Sequence, residues 1–295
     1  MRILTGRAAL AGLLGLPVSH SRSPRLHGYW LDRHGLDGAY LPLPVAPDRF
    51  AGAVRALADL GFRGANVTLP HKEAALAACD AVEPAAARIG AVNTLVFRDG
   101  RIEGWNTDAY GFLESLRDAA PGFEPAGGPA VILGAGGGAR AVAVALLDAG
   151  CPRVTLVNRT AARAEALARD LAAHGLGGRI AVADVPPLRD AALLVNATSL
   201  GMAGHGGAGH GAVGYGAAPD LAALPPEAVV ADIVYVPLET PLLAAARGRG
   251  LRTVGGLGML LHQARRGFRA WFGVDPAVDD ALRDFVAADI PRGAA

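Results

Sequence analysis

The sequence predicts an α/β protein built as two domains. Three observations carry that prediction. Short apolar runs alternate with helical stretches along nearly the whole chain. A Pro/Gly-rich connector, residues 121–129, interrupts the alternation once. The length, 295 residues, is about twice a common domain size. A chain this long can bury roughly three quarters of its unfolded surface, so its core needs no disulfide or metal staple.

Taken in order, residues 8–15, 39–42 and 64–68 read as strands, and 24–34, 47–60 and 70–78 as helices. Past the connector, strands at 130–133 and 153–158 alternate with helices at 139–149 and 161–173, and shorter strands follow near Ile180, Leu193, Val229 and Arg252. That second alternation predicts a doubly wound sheet. Residues 201–219, dominated by Gly, Ala and His, have no periodicity and read as a loop. Its His205 and His210 sit in glycine, a poor setting for a metal, and no metal is expected.

Composition narrows the function classes. Lys and Arg number 28 against 27 Asp and Glu, a net charge of +1 that speaks against a broad nucleic-acid surface or a polybasic membrane patch. Any anionic ligand must be met locally. Cys79 and Cys151, the two cysteines, fit a reducing compartment, so a cytoplasmic protein is expected. Mean hydropathy is +0.30, raised by alanine and glycine, yet no apolar run approaches bilayer length. Arg2 and Arg7 ahead of residues 8–16 imitate a signal peptide. Continuation through Pro17-Val18-Ser19-His20-Ser21 favours a first strand instead.

Gly134-Ala135-Gly136-Gly137-Gly138-Ala139 follows the apolar strand at 130–133 and opens a helix. In that setting G-x-G-x-x-A supplies a tight turn, close approach of a pyrophosphate and a small residue where helix meets strand, with the helix N-terminus toward the phosphates. The next strand ends in Asn158-Arg159-Thr160, where a site for NAD usually carries an acid. Arg159, the Thr160 hydroxyl and Arg163 can instead surround a 2′-phosphate with charge-assisted donors, so NADP is the expected cofactor.

The first half carries polar residues at strand-to-helix junctions. Ser23 before Pro24 suits a helix N-cap, whereas Ser21, two residues earlier, has no such local reason; together two hydroxyls can grip one carboxylate or diol. Lys72, in Asn66-Val67-Thr68-Leu69-Pro70-His71-Lys72, falls in the first turn of a helix, where a cation opposes the dipole. That is a poor place for a structural lysine and a suitable one for a proton-transferring lysine held by a carboxylate. Asp108, in Asn106-Thr107-Asp108, is a candidate for that carboxylate and equally a helix N-terminal acid. Asn93, in Ala91-Val92-Asn93-Thr94, supplies an amide at the end of an apolar segment, or a turn.

Taken together, these motifs resemble the shikimate dehydrogenase family over essentially the whole chain. The match extends to Ser19-His20-Ser21-Arg22-Ser23-Pro24, Gly90-Ala91-Val92-Asn93-Thr94, Asn196-Ala197-Thr198-Ser199-Leu200-Gly201-Met202, Asp232-Ile233-Val234-Tyr235 and the run from Gly255 to Gln263. The resemblance implies a substrate domain at 1–120, completed by helices at 257–295, and a Rossmann NADP-binding domain at 121–256. It implies reversible, NADP-dependent reduction of 3-dehydroshikimate to shikimate, with Lys72 and Asp108 as the acid-base pair. Ser21 and Ser23 would bind the substrate carboxylate. Thr68, Asn93 and Gln263 would surround the ring hydroxyls, with Tyr235 close by. Thr198, Ile233 and Gly256 would join the glycine loop and the arginines at the cofactor. The implied partner is a small molecule, handled by a monomer or homodimer, with no nucleic acid or membrane involved. A quinate/shikimate dehydrogenase using NAD is the alternative within the superfamily; Ser23 and Arg159-Thr160 speak against it. A non-catalytic NADP-binding relative is the alternative from another class, and retention of Lys72 and Asp108 speaks against that.

Overall fold

The computed structural model describes residues 3–202 and 219–293. His205 and His210 lie outside the described residues. The chain divides into two compact units, one of Met1–Thr107 with Leu261–Ala288, the other of Asp108–Leu260 with Asp289–Ala295.

The first unit opens with β1 (Ala9–Gly15), α1 (Ser23–Arg33), β2 (Gly38–Pro44), α2 (Phe50–Asp59), β3 (Gly64–Val67) and α3 (Lys72–Ala78). Then come β4 (Ala81–Val82), α4 (Pro84–Ile89), β5 (Thr94–Arg98) and β6 (Arg101–Trp105). Their sheet has the order β2-β1-β3-β5-β6-β4. Strand β1 pairs in parallel with β2 and β3, whereas β5 runs antiparallel to β3 and β6. The β5–β6 hairpin turns at Asp99-Gly100, with φ of 51° and 72°, the left-handed pair that a type I′ turn needs. Asn93 therefore stands at the entry of a strand, not at the end of one.

Two helix starts differ from expectation. The N-cap of α1 is Arg22, and Ser23 is the first helical residue, buried. Ser21 takes the local role instead, its hydroxyl accepting the Ser23 N–H at 3.2 Å. Helix α3 begins at Lys72 rather than Pro70, because the His71 N–H already donates to the Thr68 carbonyl at 3.0 Å.

The second unit follows as α5 (Asp108–Ala119), β7 (Ala130–Leu133), α6 (Gly137–Asp148), β8 (Val154–Val157), α7 (Ala161–Leu171) and β9 (Ile180–Val182). Next are β10 (Leu193–Asn196), β11 (Val229–Asp232), α8 (Pro241–Gly248) and β12 (Arg252–Val254). All its strand pairings are parallel, in the order β12-β11-β10-β7-β8-β9. The order reverses between β7 and β10, so a crevice opens at the carboxyl ends of those strands. Strands β7, β8, β10 and β11 are buried throughout, which is why they are mostly apolar, with Thr155, Asn196 and Asp232 as the polar exceptions. Helix α9 (Gly256–Phe272) crosses the division, and α10 (Asp280–Ala287) lies in the first unit.

Part of the first unit's core is aromatic. His27 of α1 stacks on Tyr40 of β2 at 4.0 Å between centroids and lies against Phe268 and Trp271 of α9. Trp271 donates its indole N–H to the Leu95 carbonyl at 2.9 Å. No part of His27 reaches solvent, and burial drives its pKa down to about 3, which keeps the ring neutral. The unfolded chain binds that proton near pH 6.5 and the folded chain does not. Stability from His27 is thus complete above about pH 6.5 and falls as pH drops toward 3. His27→Phe keeps a ring against Tyr40 and removes the titration. The wild type should lose about 2 kcal/mol relative to this variant between pH 7.5 and pH 5, measured by denaturant unfolding. A constant difference across that range contradicts a buried neutral imidazole.

Candidate active site

In the first unit the candidate residues gather at the carboxyl end of the parallel strands. Thr68 follows β3, its N–H donating to the Leu14 carbonyl at 2.9 Å. A Cβ on Gly15 would lie 2.4 Å from Thr68 Cγ2, so the close approach of β1 to this turn requires glycine there. Lys72 is half-buried at the first position of α3. His71, just before it, is buried against Phe50 and donates from Nε2 to the Val45 carbonyl at 2.8 Å, anchoring the start of the helix. The Lys72 carbonyl accepts the Val92 N–H at 2.9 Å, which brings Lys72 beside the segment that carries Asn93.

Asn93 is 3% exposed, and its side-chain oxygen accepts from the Thr107 N–H at 2.8 Å and the Thr94 hydroxyl at 2.9 Å. The oxygen being taken up inside the fold, the orientation of the amide is set. Behind it, Asn66 of β3 donates to the Asn93 carbonyl at 3.2 Å and the Thr94 hydroxyl at 3.1 Å, and accepts the Tyr40 hydroxyl at 2.7 Å. Burial pushes the Tyr40 phenol well above its ordinary pKa, so it remains a donor. Thr107 also approaches Gln263 Oε1 at 3.2 Å. One buried network thus joins Asn93 and Gln263 and ends one residue before Asp108, which opens α5.

The network members Tyr40 and Asn66 are not among the expected site residues. A signal for one of them is nonetheless present: Asn66 is an amide inside the buried run Gly64-Ala65-Asn66-Val67, and a buried amide must find partners.

In the second unit the glycine loop links β7 to α6. Gly134 has φ of 118°, and a Cβ on it would lie 2.9 Å from the Ala197 carbonyl oxygen, so both backbone and neighbours demand glycine. Gly136 and Gly137 have nothing within 4 Å of an added Cβ, which leaves open space at the N-terminus of α6. Ala139 is fully buried where helix meets strand, and Ala135 completes the turn. Beyond β8, Asn158 donates to the Thr160 carbonyl at 2.9 Å and shapes the entry to α7. Arg159, Thr160 and Arg163 are exposed, and neither arginine side chain pairs with a described residue. Open glycines, a helix N-terminus and two unneutralised guanidinium groups fit a dinucleotide carrying an extra phosphate.

Thr198 follows β10 and donates from both N–H and hydroxyl to Asn196 Oδ1, at 3.2 and 2.6 Å. Ile233 follows β11, its Cδ1 2.7 Å from where a Gly138 Cβ would stand, and the Ile233 carbonyl oxygen lies 2.3 Å from where a Gly256 Cβ would stand. Tyr235 is half-buried two residues further on. Asp232, buried at the end of β11, accepts three hydrogen bonds, yet burial outweighs these and pushes its pKa up to about 6. Among the described residues, no group of three or more His, Cys, Asp or Glu side chains could hold a metal ion, and no helix is long and apolar enough to cross a membrane.

Three family models match: the shikimate dehydrogenase substrate binding domain over residues 13–95, shikimate / quinate 5-dehydrogenase over 123–198, and the shikimate 5′-dehydrogenase C-terminal domain over 256–283. The shikimate dehydrogenase (NADP(+)) of Acidiphilium cryptum is 62% identical over 288 residues, spanning 98% of this chain and 99% of the relative. That of Rhodospirillum rubrum is 59% identical over 285 residues, spanning 95% and 98%. Among solved structures, shikimate 5-dehydrogenase from Thermus thermophilus, in complex with NADP(H) and shikimate, aligns with a TM-score of 0.80 at 39% identity, covering 95% of this chain and 98% of that one.

Proposed function

The chain belongs to the shikimate dehydrogenase family of NADP-dependent oxidoreductases, and we propose that it interconverts 3-dehydroshikimate and shikimate with Lys72 and Asp108 as its acid-base pair. The observation that carries the assignment of roles is the buried network that fixes Asn93 and Gln263, reaches the residue before Asp108, and adjoins the Lys72 carbonyl. In this reading residues 1–120 with 257–295 form the substrate domain and 121–256 the NADP domain. Both cysteines are free, which suits a reducing compartment, and the cytoplasm is the location we propose.

The reduced nicotinamide of NADPH supplies the hydride that reaches the ketone carbon. As the carbon–oxygen double bond becomes single, charge develops on oxygen, and the Lys72 ammonium gives that oxygen its proton. Asp108 keeps the ammonium placed and charged; in the reverse direction the Lys72 amine takes the alcohol proton. Ser21 and Ser23 hold the substrate carboxylate with hydroxyl donors, while Thr68, Asn93 and Gln263 hold the ring hydroxyls, and Tyr235 is assigned to substrate binding with them. Arg159, Thr160 and Arg163 receive the 2′-phosphate. With no carboxylate on Asn158, Arg159 or Thr160 at the end of β8, the ribose hydroxyl contact that favours NAD is lost.

Lys72→Ala should lower turnover by several orders of magnitude while leaving the substrate dissociation constant within about tenfold, since a proton donor acts on the chemical step. Single-turnover kinetics beside shikimate binding checks this. Retention of more than about a tenth of wild-type turnover, where chemistry limits the rate, removes Lys72 from the role.

Arg159→Ala should weaken NADP binding about ten- to a hundredfold and leave NAD binding nearly unchanged, because its charged hydrogen bonds address only the 2′-phosphate. Titration with both nucleotides decides the matter. Equal losses assign the arginine a different task.

A further inference from the structure

Asp232 has no part in the chemistry above, yet it holds both walls of the glycine loop. It ends β11 at 2% exposure, and three donors converge on it. Asn196 Nδ2 and the Val234 N–H donate to Oδ1 at 3.0 and 2.9 Å, and the Thr240 hydroxyl donates to Oδ2 at 2.7 Å. A carboxylate, an acceptor on both oxygens, takes all three donors at once.

Each of these bonds leads to a place where the cofactor would lie. Asn196, locked by Asp232 at Nδ2, presents Oδ1 to both donors of Thr198. The turn containing Ala197 and Thr198 presses on Gly134, where an added Cβ would stand 2.9 Å from the Ala197 carbonyl oxygen and 3.1 Å from Thr198 Cγ2. On the other side, the Val234 N–H bond curls the chain after Asp232, which sets Ile233 over Gly138 and its carbonyl against Gly256. The Thr240 bond adds the N-cap of α8. Strands β10 and β11 are neighbours, so this one carboxylate couples the two loops that follow them.

We infer that Asp232 is a positioning residue for NADP(H), acting through Asn196 on the Thr198 turn and through Val234 on Ile233. The inference rests on reading this unit as the NADP site. A residue needed only for folding would change the melting temperature and leave nucleotide affinity in the folded protein alone. A positioning residue changes affinity in protein that is fully folded, and does so for the nucleotide but not for shikimate.

The test is a fluorescence titration with NADPH, at a temperature well below melting, on wild type, Asp232→Ala, Asp232→Asn, Asn196→Ala and the Asp232→Ala/Asn196→Ala double variant. The Michaelis constant for shikimate is measured on each. Asp232→Ala should raise the NADPH dissociation constant about tenfold or more and move the shikimate constant less than about threefold. Asp232→Asn should recover binding to within about threefold of wild type, since its amide oxygen keeps both N–H donors and its NH2 can donate to the Thr240 hydroxyl. The double variant should be little weaker than the weaker single variant, because both changes cut one path. Should Asp232→Ala fail to fold, Asn196→Ala severs the same path one residue on and must show the same weakening. Unchanged NADPH affinity in a folded Asp232→Ala, or in Asn196→Ala, overturns the inference. So does additive loss in the double variant. Wild-type protein that does not bind NADPH overturns the functional reading itself, a different outcome from wild type and variants that bind equally.

Discussion

The side-chain oxygen of Asn93 is the point on which the first unit's site depends. It is buried, and it takes its hydrogens from the backbone of Thr107 and the hydroxyl of Thr94. A buried polar atom without partners costs about 1–3 kcal/mol, so these groups are held where they satisfy one another. That arrangement fixes how the Asn93 amide is turned, where Gln263 sits beside Thr107, and the course of the chain up to Thr107. Asn66 and Tyr40 support it from behind, and His27, stacked on Tyr40, stays neutral and adds no charge to the layer. A site that must hold several hydroxyl groups of one ring gains its precision from this preorganised set of neutral groups.

The second unit works with charge and space instead. Its crevice lies where the strand order reverses, its first loop is kept free of side chains at Gly136 and Gly137, and two guanidinium groups stand beyond β8 without a described partner. Solvent screens those arginines, so they contribute little to stability and are available to a phosphate. Asp232 is the exception in this unit, a carboxylate placed inside where burial opposes its charge. Three converging donors make that position tenable, and they tie the turns after β10 and β11 to one carboxylate.

Much of this is legible in the residues, for physical reasons that differ from element to element. Strands β7, β8, β10 and β11 are buried along their whole length and are therefore mostly apolar, and Gly134 must be glycine because Ala197 lies against it. The β5–β6 hairpin escapes the sequence reading, although Asp99-Gly100 is a strong turn signal, because the preceding apolar segment hides where one strand begins. Helix starts slip at Ser23 and Pro70 for a common reason: which N–H groups are already paired, as at His71, depends on the turn before the helix. Lys72 stands out because a cation in a first helical turn is locally unfavourable. Asn66 announces only that it needs partners; which partners it and Asp232 find is hidden, since Tyr40 and Asn196 are 26 and 36 residues away and the folded sheet brings them together.

Whether neutral donors in one unit select shikimate while arginines in the other select NADP is decided by one set of initial rates. Oxidation of shikimate and of quinate is measured with NADP and with NAD, all four at equal enzyme concentration. With both selections in place, kcat/KM for shikimate with NADP should exceed each of the other three by about tenfold or more. Quinate with NAD matching or exceeding that pair would contradict it.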